Sequence, residues 1–76
     1  MKDLAGLPLG AGGYVADVAA EKEMARRLMD LGFTRGAFVR CLFAAPGGGM
    51  RAYRIRQTVV ALRSGNAKQI KLEDTP

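Results

Sequence analysis

With 76 residues, 49% of them hydrophobic and 25% charged, the chain has room for one domain, residues 1–76, and a composition that excludes a disordered chain. A chain of this length buries roughly 60% of the surface it exposes when unfolded, so its core must be compact. Its net charge of +5 is unevenly placed: from Leu31 to Leu72 the basic residues Arg35, Arg40, Arg51, Arg54, Arg56, Arg63, Lys68 and Lys71 follow with no Asp or Glu between them. A field of one sign over that half attracts an acidic partner, be it protein, nucleic acid or anionic lipid.

No apolar run approaches the ~20 residues of a membrane span, and the start of the chain lacks the charged and apolar regions of a signal peptide. A cytosolic protein is the expectation. The single Cys41 can form no internal disulfide, in keeping with a reducing compartment, and its apolar surroundings in sequence place it in the core.

The stretch Leu4 to Gly10 spaces its leucines for packing, but its Gly and Pro content argues against a helix. It reads as an extended lead-in whose Leu4 and Leu7 plug one end of the core. Gly10, Gly12 and Gly13 precede a first strand, Tyr14 to Val18. Because these glycines open a strand rather than a helix, they do not form a dinucleotide loop. Between Ala20 and Leu31 the period becomes helical, with Met24, Leu28 and Leu31 in one apolar stripe flanked by Ala25 and Met29. Asp17 is the candidate cap, and the two methionines read as core filling.

The helix stop is spelled out in full. With Gly32 in the left-handed conformation just past the cap Leu31, Phe33 can pack back on Leu28 as a Schellman motif requires. Thr34-Arg35-Gly36-Ala37 then fits a type II turn, with Gly36 where φ must be positive. From Phe38 the period is two, and Arg40 on one face sets Val39, Cys41 and Phe43 on the core side, although Leu42 calls for a bulge or a strand buried on both faces. Ala45 to Gly49 is a glycine-rich hairpin tip with no phosphate-loop Lys-Ser or Lys-Thr after it. In the next strand Tyr53 and Ile55 face inward, Met50, Arg54 and Arg56 outward, and Arg51 lies at the strand mouth. Gln57 marks a tight connection to the strand Thr58–Leu62. A single helical or 3₁₀ turn over Arg63–Ala67 leads to a last strand, Gln69–Leu72, and a loose tail from Glu73 to Pro76. The expected architecture is mainly β: a small five-stranded barrel with one α-helix after the first strand and a short 3₁₀ turn before the last.

Catalytic chemistry is missing from this inventory. There is no His, one Ser and one Cys, so no nucleophile has a base, and the carboxylates show no acid–base pairing. Zinc needs three or four Cys and His ligands. No enzyme activity, no metal site, no cofactor and no small-molecule substrate are therefore expected, and a binding module remains.

The spaced residues Leu4, Leu7, Gly10, Val15, Arg27-Leu28, Leu31-Gly32-Phe33, Gly36, Val39, Ala45-Pro46, Gly48, Ala61-Leu62-Arg63, Ala67 and Ile70 together resemble the FeoA family from Leu4 to Leu72. Leu28, Gly32, Phe33, Gly36, Pro46 and Gly48 are its structural signature here. The resemblance implies an SH3-like barrel, similar to the C-terminal domain of iron-dependent repressors, and a cytosolic accessory of bacterial ferrous iron uptake whose partner is the transporter FeoB. Gln57 departs from the family pattern, standing where a turn Gly is frequent. Candidate partner contacts are Arg27 on the helix with Met50, Arg51, Tyr53 and Arg54 around one hairpin, since aromatic and Arg residues are the usual anchors of interfaces. The competing readings are nucleic-acid binding, disfavoured because few aromatics are free to stack, and a stand-alone regulatory barrel. An exposed sheet edge would also allow weak self-association.

Overall fold

The computed structural model describes residues 2–74; Thr75 and Pro76, the end of the tail expected to be loose, lie outside the described residues. A 3₁₀ turn, Leu4–Gly6, is followed by β1 (Gly12–Val18), α1 (Lys22–Asp30), β2 (Phe38–Ala44), β3 (Met50–Ile55), β4 (Thr58–Arg63), α2 (Ser64–Ala67) and β5 (Ile70–Leu72). The five strands form one sheet in the order β4-β3-β2-β1-β5, with every pairing antiparallel.

The sheet curls because β1 is shared. Its first half, Gly12 to Tyr14, pairs with β2. Its second half, Val15 to Val18, pairs with β5, with the register shifting between Val15 and Asp17. The barrel stays open between β4 and β5, which end the sheet and are joined by α2. That turn is α-helical rather than 3₁₀, since Lys68 N–H reaches back four residues to Ser64 O at 3.0 Å.

Leu4, Val15, Leu28, Phe33, Val39, Cys41, Tyr53, Ile55, Ile70 and Leu72 fill the core. Leu4 and Leu7 close it as expected, but from a 3₁₀ turn rather than an extended segment. Asp3 caps that turn by accepting from Gly6 N–H at 3.0 Å, and three residues are short enough for Gly6 to end the turn rather than weaken it.

The helix stop takes the expected form. Phe33 N–H donates to Leu28 O at 3.1 Å and Gly32 N–H to Met29 O at 3.0 Å, while Gly32 holds φ at +118°. These are the two bonds of a Schellman motif. Ala37 N–H donates to Thr34 O at 2.9 Å with Gly36 at φ +85°. The turn is tied back to β1 by Gly36 N–H to Val15 O at 2.7 Å and Val15 N–H to Ala37 O at 2.9 Å. The helix start differs from the expectation. Glu21, not Asp17, is the cap, its carboxylate accepting from Met24 N–H at 3.1 Å, and Asp17 lies in β1 opposite Lys71. The apolar stripe is narrower too. Leu28 is buried and Met24 packs on the core, whereas Met29 is 45% and Leu31 44% exposed.

The bulge expected near Leu42 is real. Cys41 pairs with Tyr53 but Phe43 with Ala52, so one extra residue is inserted at Leu42. The slip turns Phe43 out of the core, leaving it 58% exposed.

Candidate protein-docking face

Strand alternation gives β2 and β3 two opposite surfaces. Val39, Cys41, Tyr53 and Ile55 point into the core. The register carries the other face across four strands: Gly12 lies opposite Arg40, Arg40 opposite Arg54, and Arg54 opposite Val59. One step along, Tyr14 lies opposite Phe38. All of these residues are exposed.

Phe38 organises the patch. Its ring, 41% exposed, meets Tyr14 edge to face at a centroid distance of 5.2 Å and an interplanar angle of 64°, the geometry that the ring quadrupoles favour. The Arg40 guanidinium sits 5.6 Å from the same ring centroid, within cation–π range. Arg40 also donates to Gly10 O at 3.1 Å, which holds it over the ring. Gly12 makes the arrangement possible, because a Cβ there would run into the Phe38 ring. Its absence of side chain is a seat for an aromatic, not a device for the backbone.

The residues expected to contact a partner are only partly united here. Arg54 belongs to this face and is exposed. Met50 and Arg51, at the start of β3, are half-buried, and Arg51 spends a donor on Leu7 O at 2.7 Å. Arg27 is exposed on α1, which packs chiefly against β1. Tyr53 must be withdrawn as a surface anchor: it is 1% exposed, and its hydroxyl donates to Leu4 O at 3.4 Å. Burial raises its phenol above the ordinary value of 10.0, Cys41 across the strand pair adds to the rise, and Arg51 opposes it. At neutral pH Tyr53 is therefore an uncharged core side chain.

In their place stand Tyr14, Phe38, Phe43 and Arg40. All three rings are exposed, and Phe43, expected on the core side, is corrected by that exposure. For Phe38 the signal was in the sequence, since it shares the parity of Arg40 and opposes that of Val39 and Cys41. Among the described residues no three or more His, Cys, Asp or Glu converge as a metal site, and no helix is long and apolar enough to cross a membrane.

The FeoA domain family model matches residues 2–74. A FeoA from Stenotrophomonas maltophilia, crystallised with zinc and described as a procaryotic SH3 domain protein and candidate activating factor of ferrous iron transport, is 34% identical with a TM-score of 0.84, over 96% of this chain and 91% of that one. FeoA from Chlorobium tepidum is 35% identical with a TM-score of 0.87, over 93% of this chain and 68% of its own. A manganese-dependent transcriptional repressor is 26% identical with a TM-score of 0.82, over 93% of this chain but only 40% of the repressor. No curated protein matches the chain. The expected SH3-like barrel is thus the fold of its structural neighbours.

Proposed function

The chain belongs to the FeoA domain family, and from that premise we propose that it is a non-enzymatic, cytosolic accessory of bacterial ferrous iron transport that docks through its outer sheet face on the cytosolic region of FeoB. The observation that carries this reading is the union on one face of Tyr14, Phe38, Arg40 and Arg54, with no acidic residue anywhere between Leu31 and Leu72. Exposed aromatics seated beside arginines are the composition of interface anchors. The description of the Stenotrophomonas maltophilia protein as a candidate activating factor supports an accessory role. The chemistry of the chain agrees: it has no His, and Cys41 is buried.

Protein is favoured over nucleic acid by how the rings are used. Tyr14 and Phe38 pack on each other, and Arg40 covers one face of Phe38. A splayed base would therefore not find two flat rings free to stack on.

The deciding experiment is retention of the purified cytosolic domain of FeoB by the folded protein, across nucleotide states and salt concentrations. Retention that weakens as salt rises is expected. A folded protein that retains FeoB in no state sinks the proposal. A gel-shift titration beside it separates the rival reading, which demands affinity for nucleic acid falling linearly in log salt.

A further inference from the structure

The two ends of the sheet are treated differently. Along β5 lies the start of the chain, where Leu72 N–H donates to Lys2 O at 2.8 Å and Asp3 bridges Lys71. β4 pairs with β3 on one side and, among the described residues, has no strand on the other. Its register shows which groups are left open. Ser64 N–H donates to Gly49 O at 3.1 Å, and Ile55 and Thr58 flank the tight Arg56-Gln57 turn. Alternation between these points directs the backbone groups of Thr58, Val60 and Leu62 to β3, and those of Val59, Ala61 and Arg63 away from it. Among the described residues those three have no backbone hydrogen bond outside the strand, and all three are exposed.

Exposed edges are ordinarily blunted by charge, Pro or a bulge. Thr58-Val59-Val60-Ala61-Leu62 has no charge and no Pro, and its pairing with β3 is unbroken. Charge stands around this edge instead. Arg54 is the cross-strand neighbour of Val59, Arg40 lies one strand further, and Arg56 and Arg63 mark the two ends.

We propose that the open edge of β4 takes up an extended acidic segment of a protein partner as an added strand. Backbone groups of Val59, Ala61 and Arg63 supply the ladder. Carboxylates of the added strand on the outer face come to lie beside Val59 and Ala61, within the field of Arg54 and Arg63. This mode of recognition draws affinity from main-chain bonds and specificity from alternate side chains. A second copy of this chain is the poorer occupant, because its own β4 would bring Arg56 and Arg63 to a surface that already holds them. The inference rests on the docking reading and names the chemistry of the docked segment.

The test uses an N-acetylated, C-amidated peptide of alternating Glu and Val, followed by amide NMR and hydrogen exchange on the full chain. The expected result is new protection at Val59, Ala61 and Arg63. Ala61→Pro, which removes an outward N–H and leaves the β3 ladder intact, should abolish binding. The same peptide N-methylated at every residue, which leaves no N–H on either of its edges, should fail on the wild-type chain, which keeps the test decisive if the Pro variant does not fold. Equal binding of a Lys–Val peptide, binding that survives N-methylation, no protection at the three amides, or protection without peptide in a sedimenting dimer would each overturn the proposal. Retention of FeoB by a chain whose edge ignores the Glu–Val peptide leaves docking standing and removes the edge inference. Edge protection by the peptide with no retention of FeoB removes the docking reading instead.

Discussion

The two faces of β2 and β3 are made from the same strands and serve opposite ends. On the inner face Val39, Cys41, Tyr53 and Ile55 are sealed from solvent, and even the Tyr53 hydroxyl turns to the backbone at Leu4. On the outer face Phe38, Arg40 and Arg54 keep their chemistry available. Both faces hold an aromatic ring and both involve an arginine, so residue type alone does not separate them. Parity and packing do. The inner ring, Tyr53, is locked by the core, as is Phe33 beneath the helix stop, whereas Phe38 packs with Tyr14 and Arg40, which are themselves on the surface. Substitutions should therefore remove stability from the inner face and affinity from the outer one.

The comparison breaks most visibly at Phe33. Fully buried beneath the helix stop, its replacement in Phe33→Ala should cost about 3–5 kcal/mol. Domains have only about 5–15 kcal/mol in total, and small ones lie toward the lower end. Urea unfolding should move to a much lower midpoint with an unchanged slope. A midpoint close to wild type would mean that the helix stop is not anchored in the core.

Gly32→Ala probes the backbone above that ring. A left-handed conformation costs an L-residue about 1–2 kcal/mol, and the new Cβ would lie 3.2 Å from Ile55 Cγ1 and 3.3 Å from the Arg56 stem. The expected loss is at least that amount, read in the same urea titration. Outer-face contacts should survive at temperatures where the variant is folded.

Phe38→Ala reverses the pattern. It removes one aromatic pair, worth about 0.5–1.5 kcal/mol, and one exposed cation–π contact, worth about 0.5–1 kcal/mol, so unfolding should shift less than in Phe33→Ala. Retention of FeoB should nevertheless weaken, by more than about 1 kcal/mol if Phe38 is an anchor. Affinity that falls only as far as stability does would remove the distinction between the faces.

What could be read from the sequence depended on how local the determinants were. The stop from Leu28 to Gly36 was legible because every residue it needs lies within a few positions. Glu21 as a cap was not, because its carboxylate is not among the preferred cap groups and acts here through one bond to Met24 N–H. β1 begins at Gly12 rather than Tyr14, since bare glycines weaken a strand locally but Gly12 gains the ring of Phe38, its diagonal neighbour on β2. Tyr53 was correctly directed inward and also offered as a surface contact; only the fit of its ring and hydroxyl against Leu4 decides between the two. Phe43 escaped because a one-residue bulge reverses everything beyond it.

Arg56 belongs to both halves of the comparison and gives the finest test. It carries φ of +56° in the β3–β4 turn, donates to Thr34 Oγ1 at 3.0 Å, and lays its stem across the site where a Gly32 side chain would project. The positive φ of this turn thus falls on Arg56, one position before Gln57, where the family's turn glycine was expected. Arg56→Gly relieves left-handed strain of about 1–2 kcal/mol, but surrenders the Thr34 bond, worth about 1 kcal/mol, and adds freedom to the unfolded chain of about 0.4–1 kcal/mol. These terms nearly cancel, so the single variant should unfold close to wild type. The informative quantity is the coupling with Gly32→Ala. Removing the Arg56 stem opens part of the space the new methyl needs, so the two changes together should cost about 0.5 kcal/mol or more less than their sum. The Ile55 contact and the left-handed φ remain, so the rescue must be partial. A double-mutant cycle that is strictly additive would show that φ alone, and not the packing of the turn onto the helix stop, requires glycine at position 32.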